Sequence, residues 1–208
     1  MTAVPRRGSA LLHPLLSERL SPRSFDPTHE VDDETLLTLL EAARWAPSSM
    51  NRQPWRFVVA RRGTAAHDDL MAALNPGNRI WAGDASVLVV AIAERASSGA
   101  RQATADYDVG LSVAQLGVQA HALDLHTRQM GGFDHEALRR TLDLDSSLDP
   151  VVVVAIGRRD VAHRLPEHLR ERETAQRTRR PLSDLVLSLD GRAWPGEAED
   201  DGRAASAA

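Results

Sequence analysis

Two short apolar, β-branched runs, Ser86 to Ala93 and Val151 to Ile156, bracket a proline-free stretch from about Ala103 to Leu125 with apolar residues on nearly every face. The runs have the length and composition of buried strands, and the stretch between them that of a buried central helix. Such an order obliges the chain to pack a helix against a sheet. Gly110, Ala114 and Gly117 on that helix permit close backbone approach, either to the sheet or to a second subunit.

Upstream, Leu36, Leu39, Leu40 and Ala43 lie on one face of a helix expected over Asp32 to Trp45, with Asp32, Asp33 and Glu34 in its first turn. Pro47 ends it, and Phe57 to Ala60 reads as a buried strand. His67 to Leu74 and Asp134 to Leu142 read as short helices, the second N-capped by Asp134. Asn75 to Asn78 reads as a turn, and Pro150 and Gly157 bound the third strand. Strands separated by helices predict an α+β domain with a central mixed sheet flanked by helices. Asp160 to Arg180, rich in Arg and Glu, reads as a solvated connection or arm, and Leu182 to Leu189 as a last docked strand. Residues 1–12 and 195–208 read as frayed ends. The whole, 1–208, is expected to be one domain.

Composition removes several chemistries. The chain has no Cys, which excludes thiol nucleophiles, disulfides and thiolate metal sites. It has no Lys either, which excludes Schiff-base chemistry and a lysine-bearing phosphate loop, so Arg performs every cationic task. Redox chemistry would have to be brought by a cofactor. A net charge of -4 gives no reason to expect nucleic acid, no apolar run is long enough for a membrane span, and no secretory h-region follows Arg6 and Arg7. A cytoplasmic enzyme is the simplest expectation. The eight His show no metal-ligand spacing, and no nucleophile elbow, Walker loop or dinucleotide fingerprint occurs.

Four segments concentrate polar groups. Pro47-Ser48-Ser49-Met50-Asn51-Arg52-Gln53-Pro54-Trp55, between helix and strand, either presents Ser48, Ser49 and Asn51 to a planar ligand or spends them on local turns. Arg19-Leu20-Ser21-Pro22-Arg23 is either a phosphate and ring-edge site or a surface Arg pair beside a turn. Met130-Gly131-Gly132 permits close backbone approach to a ligand or makes a tight turn. Arg177 to Arg180, ahead of Pro181, is a phosphate clamp or a solvated basic face.

These segments, in this order and preceded by Leu39-Leu40-Glu41-Ala42-Ala43-Arg44, resemble the nitroreductase family of FMN-dependent oxidoreductases from about Leu16 to Leu187. The resemblance implies a nitroreductase-like fold and a homodimer with the C-terminal segment exchanged onto the partner. It implies FMN contacts from Arg19 near the phosphate, from Leu20, from Ser21 at the pyrimidine side and from Arg23 at the O2 edge. Pro47, Ser48, Ser49 and Asn51 would reach the flavin of the partner subunit, and Asn78 the ring. A backbone N-H of Met130, Gly131 or Gly132 would meet N5, and Arg177 or Arg179 the phosphate. Trp81 stands where some members carry Lys, so no second ring-edge cation follows from the resemblance. The implied activity is ping-pong transfer of hydride from NADH or NADPH, through flavin N5, to a small-molecule acceptor such as a nitroaromatic or quinone. A flavin-binding protein without turnover, or a branch performing flavin fragmentation or dehalogenation, is the alternative. The resemblance assigns no catalytic side chain.

Overall fold

The apolar run at Ser86–Ala93 becomes the most buried strand of the molecule. The computed structural model describes residues 12–95 and 104–187. In chain order its elements are α1 (Pro14–Ser17), α2 (Asp33–Arg44), β1 (Trp55–Arg61), α3 (Ala65–Ala73), α4 (Pro76–Ala82), β2 (Val87–Glu94), α5 (Ala105–Ala122), β3 (His126–Met130), α6 (His135–Thr141), β4 (Leu148–Gly157) and α7 (Glu167–Thr174). The described residues between 18 and 174 form one compact unit, and 12–17 with 175–187 belong to another.

Within the larger unit the strands lie in the order β1-β2-β4-β3, and every neighbouring pair is antiparallel. The sheet of the described residues is therefore antiparallel rather than mixed. Arg61, the last residue of β1, pairs with Val87, the first of β2. The intervening α3 and α4 thus return the chain at the same end of the sheet, where a parallel pair would need a crossover.

Alternate residues of β2 face opposite layers, as strand geometry requires. Val87, Val89, Ala91 and Ala93 meet Leu39 and Ala43 of α2 and Val109, Val113 and Leu116 of α5. Leu88, Val90 and Ile92 meet Leu70 of α3, Trp81 of α4, Leu138 of α6 and Leu169 of α7. The result is an α+β arrangement with helices on both faces of the sheet.

Several expectations change. Asn75 to Asn78 is the start of α4, with Pro76 at its first position, a place where a missing N-H costs nothing. Pro150 lies inside β4, opposite Ile92 and beside the register shift at Ala91/Ile92, where a residue without an N-H is accommodated. The 160–180 arm contains a 3-10 turn at Ala162–Arg164 and α7, docked by buried Leu165 and Leu169. No last strand forms among the described residues after Pro181. A 3-10 turn at Leu182–Asp184 stands there, and Leu182, Leu185 and Leu187 are exposed instead of packed. Leu189 and the two expected frayed ends fall outside the described residues, apart from Leu12. On α5, Gly117 packs against Thr127, but Gly110 and Ala114 are exposed.

Burial depresses the pKa of His29, His67 and His126 below the ordinary 6.5, with Arg158 adding to the effect at His29 and His121 at His126. As pH falls through that value the unfolded chain takes up protons that the folded chain resists, so stability is present above it and declines below. The melting temperature is expected to fall from about pH 7.5 to about pH 5.5. A level profile across that window would contradict the burial of these rings.

Candidate functional site

The segment Arg19–Phe25 is fastened at its end. Phe25 is fully buried and stacks on Trp81 with ring centroids 6.2 Å apart, and Ser24 Oγ donates to the Val161 carbonyl at 2.7 Å. Arg19 Nη1 donates to Ser21 Oγ at 3.0 Å. Arg128, on β3, donates to the Ser21 carbonyl and lies over the Trp81 ring, 5.4 Å from its centroid. The Arg23 N-H donates to both carboxylate oxygens of Glu173 on α7, at 3.1 and 3.0 Å, and the Arg23 guanidinium is 3.7 Å from the same group. Leu20 is half-buried within this segment.

Positive charge is crowded here. Burial, then the nearby Arg23, pushes the Arg128 pKa down to about 10, and burial followed by Arg172 also lowers that of Arg23. Glu173 acts in the opposite direction on both. Three guanidiniums to one carboxylate is a donor set suited to an anionic, electron-rich ligand.

The glycine pair adjoins this cluster through β3 and α4. The Gly132 carbonyl accepts from the Asn75 N-H at 3.0 Å and from Asn78 Nδ2 at 2.9 Å. A Cβ on Gly132 would stand 3.0 and 3.1 Å from the Asn75 and Asn78 side-chain nitrogens, so a larger residue there would have to displace these amides. Gly131 borders open space, whereas the Met130 side chain is buried, leaving its backbone as the part a ligand could meet. Ser21, through Arg128, and Asn78, through Gly132, are thus both tied to β3 and to the Trp81 layer.

The Pro47–Pro54 loop belongs to the other layer. Its flanking residues Ala46 and Trp55 sit in the core shared by α2 and α5, and the Ser49 N-H donates to the buried Asp108 carboxylate of α5 at 3.2 and 3.4 Å. Ser48 Oγ accepts from the Gln53 N-H at 3.0 Å, so its hydroxyl serves the turn. Asn51, exposed, accepts through Oδ1 from Gln53 Nε2 at 3.3 Å. Met50, Asn51 and Gln53 all have left-handed backbone, φ 54°, 56° and 50°. Each such residue costs about 1 to 3 kcal/mol, a load that clusters at binding sites.

Arg177 and Arg179 lie in the smaller unit and are exposed, Arg179 donating to the Thr178 carbonyl at 2.8 Å. Sequence reasoning missed Arg128, Glu173 and Asp108. The signal for Asp108 was a carboxylate in an otherwise apolar helix, a residue type seldom buried unless it is paired. Arg128 gave none, because β3 itself was not foreseen. Among the described residues no group of acidic or His side chains is placed to hold a metal, and no helix is long and apolar enough to cross a membrane.

Residues 16–76 and 64–158 match the model of the nitroreductase family, and the chain belongs to that family. A Bacillus subtilis (strain 168) protein, YdgI, provisionally named an NAD(P)H nitroreductase, is 25% identical over 182 residues, covering 69% of this chain and 86% of that protein. A solved oxidoreductase containing FMN is 36% identical, with a TM-score of 0.81, covering 92% of this chain and 98% of its own. A Desulfovibrio desulfuricans structure, provisionally described as a nitroreductase in complex with FMN, is 27% identical, with a TM-score of 0.67 and coverage of 85% and 96%.

Proposed function

We propose that this chain is an NAD(P)H-dependent FMN oxidoreductase of the nitroreductase type, acting in the cytoplasm as a homodimer whose flavin pocket draws on both copies. The observation that carries the shared pocket is the separation of the predicted site. The Arg cluster, Asn78 and the glycine pair are built on the Trp81 layer, whereas the strained Pro47–Pro54 loop is anchored to the α2/α5 layer. A second copy can bring a loop to each cluster.

The α2/α5 face also has a surface fit for a second copy. Leu37, Trp45, Met50 and Tyr107 are exposed there, and Tyr107, Gly110 and Ala114 repeat along one side of α5 at helical spacing.

The residues present fit FMN by their chemistry. Arg19 and Arg23 suit the phosphate and the electron-rich ring edge, Ser21 a polar edge atom, and the open space at Gly131 a close backbone approach. When bound, FMN supplies the redox step, exchanging hydride at N5 in a ping-pong order between NADH or NADPH and an acceptor such as a nitroaromatic or quinone. The protein's part is to bind, orient and set charge. Arg128 and Glu173 hold Ser21 and Arg23 in place, and Asp108 holds the loop. No side-chain nucleophile or base is required. Arg177 and Arg179 are assigned to the phosphate on the resemblance alone, as is the exchanged C-terminal segment, whereas the inclusion of 1–208 in one domain rests on chain length.

Anaerobic titration of the purified yellow protein with NADH and with NADPH tests this reading. Bleaching of the flavin by at least one nicotinamide is expected. A stably yellow protein would instead be a flavin binder without turnover, and a colourless one that FMN cannot reconstitute would end the flavin reading.

A further inference from the structure

We propose that Arg128 and Glu173 set the redox preference of the flavin site through opposite charges at its Ser21–Arg23 edge, Arg128 favouring the reduced flavin and Glu173 opposing it. The inference rests on the FMN reading above and deepens it.

Both groups act on the same short stretch. Arg128 holds the Ser21 carbonyl, and two residues on, Glu173 holds the Arg23 N-H with both oxygens. Each is fixed by its surroundings. Arg128 lies on the face of Trp81, which is 2% exposed, and the Glu173 side chain is 4% exposed. A buried carboxylate and a half-buried guanidinium interact more strongly with a neighbouring ligand than fully exposed charges do.

Reduction places negative charge on the N1-O2 side of the isoalloxazine, the edge to which Ser21 and Arg23 are assigned. A fixed cation at that edge stabilises the charge as it develops, and a fixed anion works against it. Arg23, Arg128 and Arg172 stand against the one carboxylate of Glu173, so the cluster carries more positive charge than it neutralises internally. Glu173 would then trim the excess, so that the flavin, once reduced, can still pass hydride on.

The test is the midpoint potential of bound FMN, with oxidised-FMN affinity measured alongside, in the wild type, Arg128→Gln, Arg128→Lys and Glu173→Gln. Arg128→Gln is expected to weaken reduced FMN about tenfold more than oxidised FMN, a potential lower by about 30 mV for a two-electron couple. Arg128→Lys keeps the charge and is expected to stay near the wild type. Glu173→Gln keeps the hydrogen-bond acceptor, loses the charge, and is expected to move the potential upward by a similar amount. Purely structural residues would weaken both redox forms alike and leave the potential in place, and that outcome in Arg128→Gln and Glu173→Gln overturns the proposal. A wild type that takes up no FMN refutes the FMN reading and this inference together, whereas a flavin-loaded set with coincident potentials refutes this inference alone.

Discussion

Trp81→Ala is expected to lower the stability of the fold by about 3 to 5 kcal/mol, the range for removing a large aromatic from a core. Trp81 is among the largest fully buried side chains, wedged between β2 and the helices of its layer. Its ring carries Phe25 on one contact and Arg128 on another. Truncation leaves a cavity and also removes the platform beneath the Arg19–Phe25 segment. For a chain of this size the loss corresponds to a melting temperature lower by about 6 to 20 °C, accompanied by weaker FMN retention. Trp81→Phe, which keeps an aromatic platform, should lose much less. Thermal unfolding of both variants checks the claim, and a change below about 1 kcal/mol in Trp81→Ala would show that the ring is not structural.

Asp108→Ala is expected to weaken FMN binding at least about tenfold while disturbing the fold less than Trp81→Ala does. The carboxylate holds the Ser49 N-H from a buried position on α5, and a hydrogen bond to a charged group contributes about 1.5 to 3 kcal/mol. What it restrains is a loop with three left-handed residues, Met50, Asn51 and Gln53. Without the anchor that strain has a route to relax, and the loop no longer presents Asn51 in a fixed place. Asp108→Asn retains an acceptor oxygen and is expected to lie between the two. Equilibrium titration followed by flavin fluorescence measures the affinities, and an unchanged value for Asp108→Ala would remove Asp108 from the site.

The strongest periodicities in the sequence were legible as structure. Leu36, Leu39 and Ala43 do bury one face of α2, and Asp32 caps it through the Thr35 N-H. Asp134 likewise caps α6. The strand His126–Met130 was not legible, because an edge strand of His, Thr, Arg, Gln and Met has no apolar run to announce it. With no strand expected there, Arg128 gave no signal either. Asn75 to Asn78 misled because Pro and Gly favour turns and the first turn of a helix alike.

For the candidate site, the sequence showed which residues were unusual but not which of them meet. Asn78 with Gly132, and Ser21 with Arg128, are joined only by tertiary packing. Ser48 shows the reverse: its hydroxyl is occupied by Gln53 within its own turn, which local chemistry had offered as one of two uses.

The shared pocket is tested most directly by pairing two defective chains. One carries Asp108→Ala, which disables its loop, and the other Arg23→Ala, which disables its cluster, and the heterodimer is isolated through two different tags. If each pocket joins the cluster of one chain to the loop of the other, the heterodimer holds one intact pocket and retains one FMN, while both homodimeric variants retain little. A heterodimer as poor in flavin as its parents would show that loop and cluster serve a pocket within a single chain, and would contradict the account.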